Sequence, residues 1–365
     1  MNNSKFTLLA SILIFAGLLS GCLEHRYHIS VLSDQTVNLR YELRGDRIDL
    51  EDGNELLPDS VQWSIERKVE ESEDQTTYVL KGGISLSSTE ELASALDWRK
   101  KSGDSIYFRP ITSFSTRSIL WGKILEFKTI IPSRKFNESY GDIWEFVPEE
   151  CRAIEDEEAL KLLPADDVKM LELKFGLGVI QWNRARYERA FDVVWNISQT
   201  KKLLLPDENQ TGYYVAKAGW TDDIHTYLNS LDVGKPQTAN LNWWADLRSQ
   251  FLSRFSNLTD ASSVVLVAEI ADVIERKYLV SKDLDDDNFH FELTSPGFVS
   301  ANNGSRTDQS VSWEFSGKDI SNQEMVMVAS TYQLDYLQIT ITLFIIGIVI
   351  VLILRRNRNS NMAAE

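Results

Sequence analysis

Cysteine and histidine are scarce in this chain: 365 residues contain two cysteines, Cys22 and Cys151, and four histidines, His25, His28, His225 and His290. Two cysteines rule out a disulfide-stapled scaffold, and four scattered histidines leave few ways to assemble a three-ligand zinc site. His25 and His28, in "EHRYH", fall on opposite faces if that segment is a strand, since side chains alternate there. No G-x-S-x-G, HExxH or P-loop pattern occurs, and "FGLGVI" has two of the three glycines of a dinucleotide fingerprint without a preceding strand, so it reads as a local turn. Positive charge is also short: 38 Lys and Arg stand against 54 Asp and Glu, a net charge of −16. Such a surface repels nucleic acid and anionic headgroups. No cofactor is expected.

Long apolar runs are present, one at each end. Phe6 to Leu19 form a 14-residue apolar core behind Lys5, too short for an ordinary span and followed by small residues, which is the pattern of a cleaved secretory signal. The following Leu19-Ser20-Gly21-Cys22 resembles the lipobox of bacterial lipoproteins. That resemblance implies that Cys22 becomes the N-terminus and carries the lipid (diacylglycerol and commonly a further acyl chain such as palmitate). Leu23 at the next position would not retain such a lipoprotein at the inner membrane, whereas a membrane span would. Cys151 would then be the one remaining thiol. It has acidic neighbours Glu149, Glu150, Glu155 and Asp156, which raise a thiol pKa, so it reads as a buried structural cysteine.

At the other end, Tyr336 to Leu354 give 19 residues without a charge, about 28 Å of helix and enough to cross the hydrocarbon core. Arg355, Arg356 and Arg358 follow at once and place that end in the cytoplasm, with Tyr332 and Tyr336 at the opposite interface. The two anchors imply a plasma-membrane protein held by lipid on Cys22 and by a single pass, with 23–335 extracytoplasmic. Those 313 residues carry 34 basic and 53 acidic side chains and are enough for one elaborated domain or two.

Between the anchors the hydrophobic period changes twice. Tyr27-Ile29-Val31, "SDQT" and Val37-Leu39-Tyr41-Leu43 read as a hairpin. Val61-Trp63-Ile65 begin a further strand, "EESEDQ" turns, and Thr77-Val79 return toward Gly82-Gly83. "SSTEELASAL" reads as a short helix with Ser88 and Glu91 as a capping box. Strands are expected around Ile106–Phe108 and over 119–131. From about residue 145 the period becomes helical: Ile180, Tyr187, Phe191, Val194 and Trp195 share a face with Arg184 and Arg189 outside it. Further helices are expected over 211–231 and 241–255, the latter with Trp244, Leu247, Phe251 and Phe255 on one side. "TDASSVVLVAEIADVIERKYLVSKDL" reads as a helix running into a strand, capped by Thr259 or Asp260. Alternation returns at Phe289-Phe291-Leu293, Val311-Trp313-Phe315 and 325–329. The expected organisation is a signal peptide (1–21), a β-rich part (22–144), a helical insertion (145–258), an α/β closing segment (259–335), a membrane helix (336–354) and a cytoplasmic tail (355–365). The expected fold class is α+β, with the two β segments packed together and the helices inserted between them.

The segment from Phe291 to Thr331, with Pro296-Gly297, Asn303-Gly304 and Val311-x-Trp313-x-Phe315, resembles the closing β segment of bacterial envelope lipoproteins of the LppM-type group. The resemblance covers about 45 residues and the lipobox, brings no catalytic residues, and implies an envelope lipoprotein with a β-rich ectodomain. One metal site has a partial pattern: Asp283, Asp285 and Asp287 alternate like the start of a calcium loop, but position six is Asn288 and position twelve Thr294, so a solvated turn between strands is the simpler reading. The missing catalytic motifs, ten tryptophans, two anchors and the lipoprotein resemblance together point to a non-catalytic binding or scaffold module. It would take an apolar ligand or envelope protein in a groove lined by residues such as Trp182, Trp195, Trp243 or Trp313. The alternative is an envelope hydrolase using carboxylates or a metal at Asp283–Asp287.

Overall fold

The computed structural model describes residues 23–47, 50, 62–71, 76–96, 110–119, 121–155, 157–205, 210–230, 243–307 and 309–362. The signal segment, Cys22, the "EESEDQ" turn beyond Glu71 and the strand expected at Ile106–Phe108 lie outside them. The architecture is α+β, and the chain divides into two compact units: a helical unit, 133–285 with 321–323, and a β unit, 21–132 with 286–320 and 324–365.

The β unit begins with β1 (Glu24–Val31), whose inward side chains His25, Tyr27, Ile29 and Val31 alternate with half-exposed ones. β2 (Val37–Gly45) repeats the pattern with Val37, Leu39, Tyr41 and Leu43. The "SDQT" turn between them is closed by Asp34, whose carboxylate accepts from the Thr36 N–H at 3.0 Å and hydroxyl at 2.7 Å. β3 (Ser64–Glu71) and β4 (Thr76–Leu86) extend this sheet, with Trp63 buried just before β3 and Gly82-Gly83 lying within β4 rather than ending it. β5 (Ile111–Ile119) and β6 (Gly122–Ile131) form a second hairpin.

The chain returns with β7 (Asn288–Thr294), β8 (Phe298–Asn302), β9 (Ser305–Arg306), β10 (Ser310–Ser316) and β11 (Met325–Leu334). One sheet has the order β3-β4-β2-β1-β7-β10-β9 and the other β5-β6-β11-β8. The N- and C-terminal β segments thus pair in both sheets. β7 lies parallel to β1, with Tyr27 opposite Phe291, and β11 lies antiparallel to β6, with Ala329 opposite Phe127. The sheets bury their apolar faces together, where Phe127 meets Trp313 at 5.9 Å. Aromatic rings line the seam of the first sheet: Tyr27 stacks on Phe291 at 4.3 Å and Phe289 on Phe315 at 5.2 Å.

The residues shared with the lipoprotein resemblance hold the turns of this half. Gly297 has φ +95, and a side chain there would meet the Tyr332 carbonyl at 2.2 Å, so glycine is required. The Asn303 amide accepts from Trp313 Nε1 and from the Val328 N–H, both at 2.9 Å, and donates to the Val326 carbonyl, joining β10 to β11.

The helical unit is built from α1 (Ala165–Thr200), α2 (Gln210–Ser230), α3 (Trp243–Ser256) and α4 (Ala261–Asp283). Its core is the predicted aromatic stripe: Tyr187, Phe191, Val194 and Trp195 meet Trp220, Ile224, Leu247, Phe251 and Phe255. Ile180 and Trp244 pack against this core from its margin. Arg184 stays outside and pairs with Glu188.

Four local expectations change. The strand expected over 119–131 begins only at Gly122, since Ile119 ends β5 and Trp121, with φ +73, sits at the turn. "FGLGVI" is an interior turn of α1, where a side chain on Gly178 would lie 2.4 Å from Val147, so this glycine serves close packing rather than a bend. The segment expected to run from helix into strand is one helix from Ala261 to Asp283, because Val267, Ala271, Ile274 and Tyr278 continue the 3–4 spacing past the β-branched residues. Asp260 is its cap, accepting from the Ser262 hydroxyl and from the Ser263 and Ser262 N–H groups, which holds its carboxyl at about 2. At the short helix, Ser88 makes no side-chain cap; Glu91 instead reaches Ser87, one residue back, accepting from its N–H at 3.0 Å and from its hydroxyl.

After β11 the chain passes through Asp335 into α5 (Tyr336–Met362), whose apolar part, Tyr336–Leu354, is unburied in the fold and long enough to cross a membrane. The protein is therefore membrane-associated.

Candidate functional site

Two buried polar clusters stand out, one in each unit. In the β unit the inward position at the start of β1 is a histidine. His25 is fully buried, stacks on Phe289 at 4.5 Å, and holds Tyr41 Oη through Nδ1 and Asp287 Oδ2 through Nε2, each at 3.0 Å. The other carboxylate oxygen of Asp287 accepts from the Leu23 N–H at 3.0 Å, and the Leu23 carbonyl accepts from the Asn288 N–H at 2.9 Å. A carboxylate–histidine–tyrosine chain thus ties down the residue that follows Cys22. Asp287 is 2% exposed, so this segment is not the solvated turn between strands that its spacing suggested. It is the exit from a helix into β7, and the buried carboxylate is satisfied by donors instead of water.

The other aspartates of the pattern do not join it. Asp283 ends α4, and Asp285 accepts from the Ser321 hydroxyl; both belong to the helical unit, whereas Asp287 belongs to the β unit. Among the described residues no group of three or more His, Cys, Asp or Glu side chains converges to hold a metal ion. His28 faces outward and pairs with Glu292 at 2.9 Å, His290 pairs with Glu314 at 3.0 Å, and His225 is bonded to Asn229.

In the helical unit, Arg186 and Glu275 form an ion pair at 2.7 Å with side chains 4% and 7% exposed. The guanidinium lies between two rings, 3.6 Å from the centroid of Tyr278 and 4.0 Å from that of Tyr187. Burial opposes the charge on Arg186, but Glu275 and the two tyrosines outweigh it and raise the pKa above the ordinary arginine value. Burial pushes the phenols of Tyr140 and Tyr278 up to about 12 and raises that of Tyr187 further. Sequence reading missed this pair. The signal available was an arginine and a glutamate each falling on the apolar stripe of its helix, Arg186 four residues after Trp182 and Glu275 four after Ala271.

The tryptophans expected to line a groove are core residues. Trp182, Trp195 and Trp313 are 6%, 5% and 3% exposed, and Trp182 Nε1 donates to the Gly141 carbonyl. The Trp243 side chain lies outside the described residues. One open cleft of about 230 Å³ lies between α2 and α3, with Thr211, Val215, Ala216, Ser253, Arg254 and Leu258 in its lining, and it is smaller than a typical ligand pocket. Cys151 is buried with its thiol against the Leu171 carbonyl; burial first, then Glu150, raises its pKa, which makes it unreactive.

No family model and no curated protein matches the chain. Among solved structures, the NMR structure of the folded domain of LppM from Mycobacterium tuberculosis is similar over 87% of this chain and 95% of that one, at 10% identity and a TM-score of 0.30. A likeness that distant carries no argument, and the functional reading rests on the residues themselves.

Proposed function

We propose that this chain is an envelope lipoprotein anchored at both ends, whose extracytoplasmic body is a non-catalytic binding or scaffold module. The observation that carries the reading is that Leu23 and the start of α5 belong to one unit. Leu23 is bonded into the start of the β unit, and β11 of the same unit runs into the apolar helix without a linker. The β unit is then the anchoring element, and the helical unit, inserted between Pro132 and Asp286, is what it carries. The buried Asp287–His25 and Arg186–Glu275 clusters fit structural roles, since their polar atoms are spent on one another inside closed cores.

The two anchors also constrain orientation. Leu23 is held at the first residue of β7 through Asn288, while Thr331 is held just past its last residue by the Ser295–Thr331 hydroxyl bond of 2.8 Å. Seven residues of strand separate those points by about 23 Å. With a lipid on Cys22 and the helix in the same bilayer, the β unit is tethered at two separate points.

Mass spectrometry of the detergent-extracted protein tests the reading. A diacylglyceryl-modified N-terminus together with a co-purifying lipid or envelope protein supports it. An unmodified Cys22, or metal-dependent turnover of an envelope substrate by the purified chain, overturns it.

A further inference from the structure

The end of the four-stranded sheet from which α5 leaves differs from the rest of its outer face. Across that face one row joins Ile124 of β6 to Tyr332 of β11 and Phe298 of β8, and the last positions are Ile119 and Leu334. The next row inward is Ser115, Glu126 and Ser330, with the Ser115 hydroxyl bonded to Glu126 at 3.2 Å, and beyond it lie Ser113 and Lys128. Arg117 completes the first row on β5, so the aromatic surface lies on β6, β11 and β8; the next row is polar and charged, and apolar residues return further along with Val328 and with Ile111, Ile130 and Val326.

Large rings are exposed at this end. Phe298 is 47% exposed and meets Tyr332 edge-on at 5.1 Å, and Trp121 is 42% exposed. Trp121 sits at the β5–β6 turn with φ +73, a left-handed conformation that glycine or asparagine adopts more easily than a bulky ring. Its carbonyl accepts from the Asp335 N–H at 2.9 Å, which fixes this turn at the level where α5 begins. Tyr336, 74% exposed, opens the helix at the same level. Indole and phenol rings settle at the boundary between headgroups and acyl chains.

We propose that this sheet end, presented by Trp121, Phe298, Tyr332 and Leu334, is a lipid-contacting surface seated at headgroup depth in the leaflet that α5 enters. The proposal rests on the reading of α5 as a membrane span. The occupant is the bilayer because the surface is continuous with that helix: Asp335, bonded to Trp121, is the residue before it. Arg117, opposite Ile124, and Lys123 supply cations at the same end for lipid phosphates.

The test uses the full chain in a Cys151→Ser background, reconstituted in phosphatidylcholine–phosphatidylglycerol vesicles, with a fluorescent label on Trp121→Cys, Phe298→Cys, Ser113→Cys or Phe344→Cys. Parent protein without an added cysteine serves as the blank. Lipids carrying a shallow spin-label quencher are expected to quench labels at 121 and 298 several-fold more than the label at 113, and a deep quencher to act on 344. Equal, weak quenching at 121, 298 and 113, with 344 still quenched from the bilayer centre, overturns the surface and leaves the span standing. Absence of deep quenching at 344 overturns the span itself and the proposal with it.

Discussion

Arg186–Glu275 joins two helices of the same bundle, and its arginine is held by a carboxylate and two rings at once. Asp287–His25 joins the first strand to a segment 262 residues later, and the same carboxylate holds the N–H of Leu23. The helical unit thus uses a buried charge to fix packing between its helices, while the β unit uses one to join its first strand to the point where the chain re-enters it. Breaking the first should loosen a bundle. Breaking the second should release a chain end and leave the bundle in place.

The largest effect is expected at Glu275. Glu275→Ala leaves a buried guanidinium without its carboxylate, a loss of about 3–5 kcal/mol, whereas replacing both partners with Arg186→Met and Glu275→Leu should cost far less. Urea unfolding followed by helical circular dichroism checks this, and equal losses in single and double variants would show that the pair is not what matters at this site.

A smaller effect is expected at the β closure. Asp287→Ala orphans the Leu23 N–H and removes one partner of His25, at about 1–3 kcal/mol for a buried polar group left unsatisfied. Asp287→Asn, which keeps an acceptor, should lose less. Limited proteolysis should find new cleavage near Leu23 in the alanine variant with the helical fragment still resistant. Loss of both units together would contradict the division of roles.

The smallest effect is a pH response confined to the helical unit. Burial raises Tyr140 and Tyr278 from about 10 to about 12, so the folded state favours their neutral form. That contribution is complete below pH 10 and is lost as pH rises toward 12. Phenolate absorbance of these rings should appear only together with loss of helical signal. Tyrosinate formation at pH 10–11 in Tyr278 without unfolding, read by difference against Tyr278→Phe, would contradict the burial.

The α+β class and the pairing of distant β segments were legible because period-two and period-3.6 patterns are local signals that tertiary packing preserved. The inward set Tyr27-Ile29-Val31 is a direct case, and the stripe Tyr187-Phe191-Val194-Trp195 another. What failed was local in a different sense. Gly178 resembles a turn glycine until Val147 packs onto it, and the β-branched run in α4 resembles a strand until its 3–4 spacing is followed to Tyr278. His25 occupied an inward slot in plain view, but its partner Asp287 is set by the parallel β1–β7 register, which no short window contains. The same holds for the aromatic end of the second sheet, assembled from β5–β6, β8 and β11.

The account stands on the claim that the β unit is outside the cytoplasm and anchored through α5. Protease added to spheroplasts expressing the chain with a tag after Glu365 tests it most directly. Digestion of the body with the tag still protected is the predicted result; a tag removed from outside, or a body that stays intact until the cells are lysed, would contradict it.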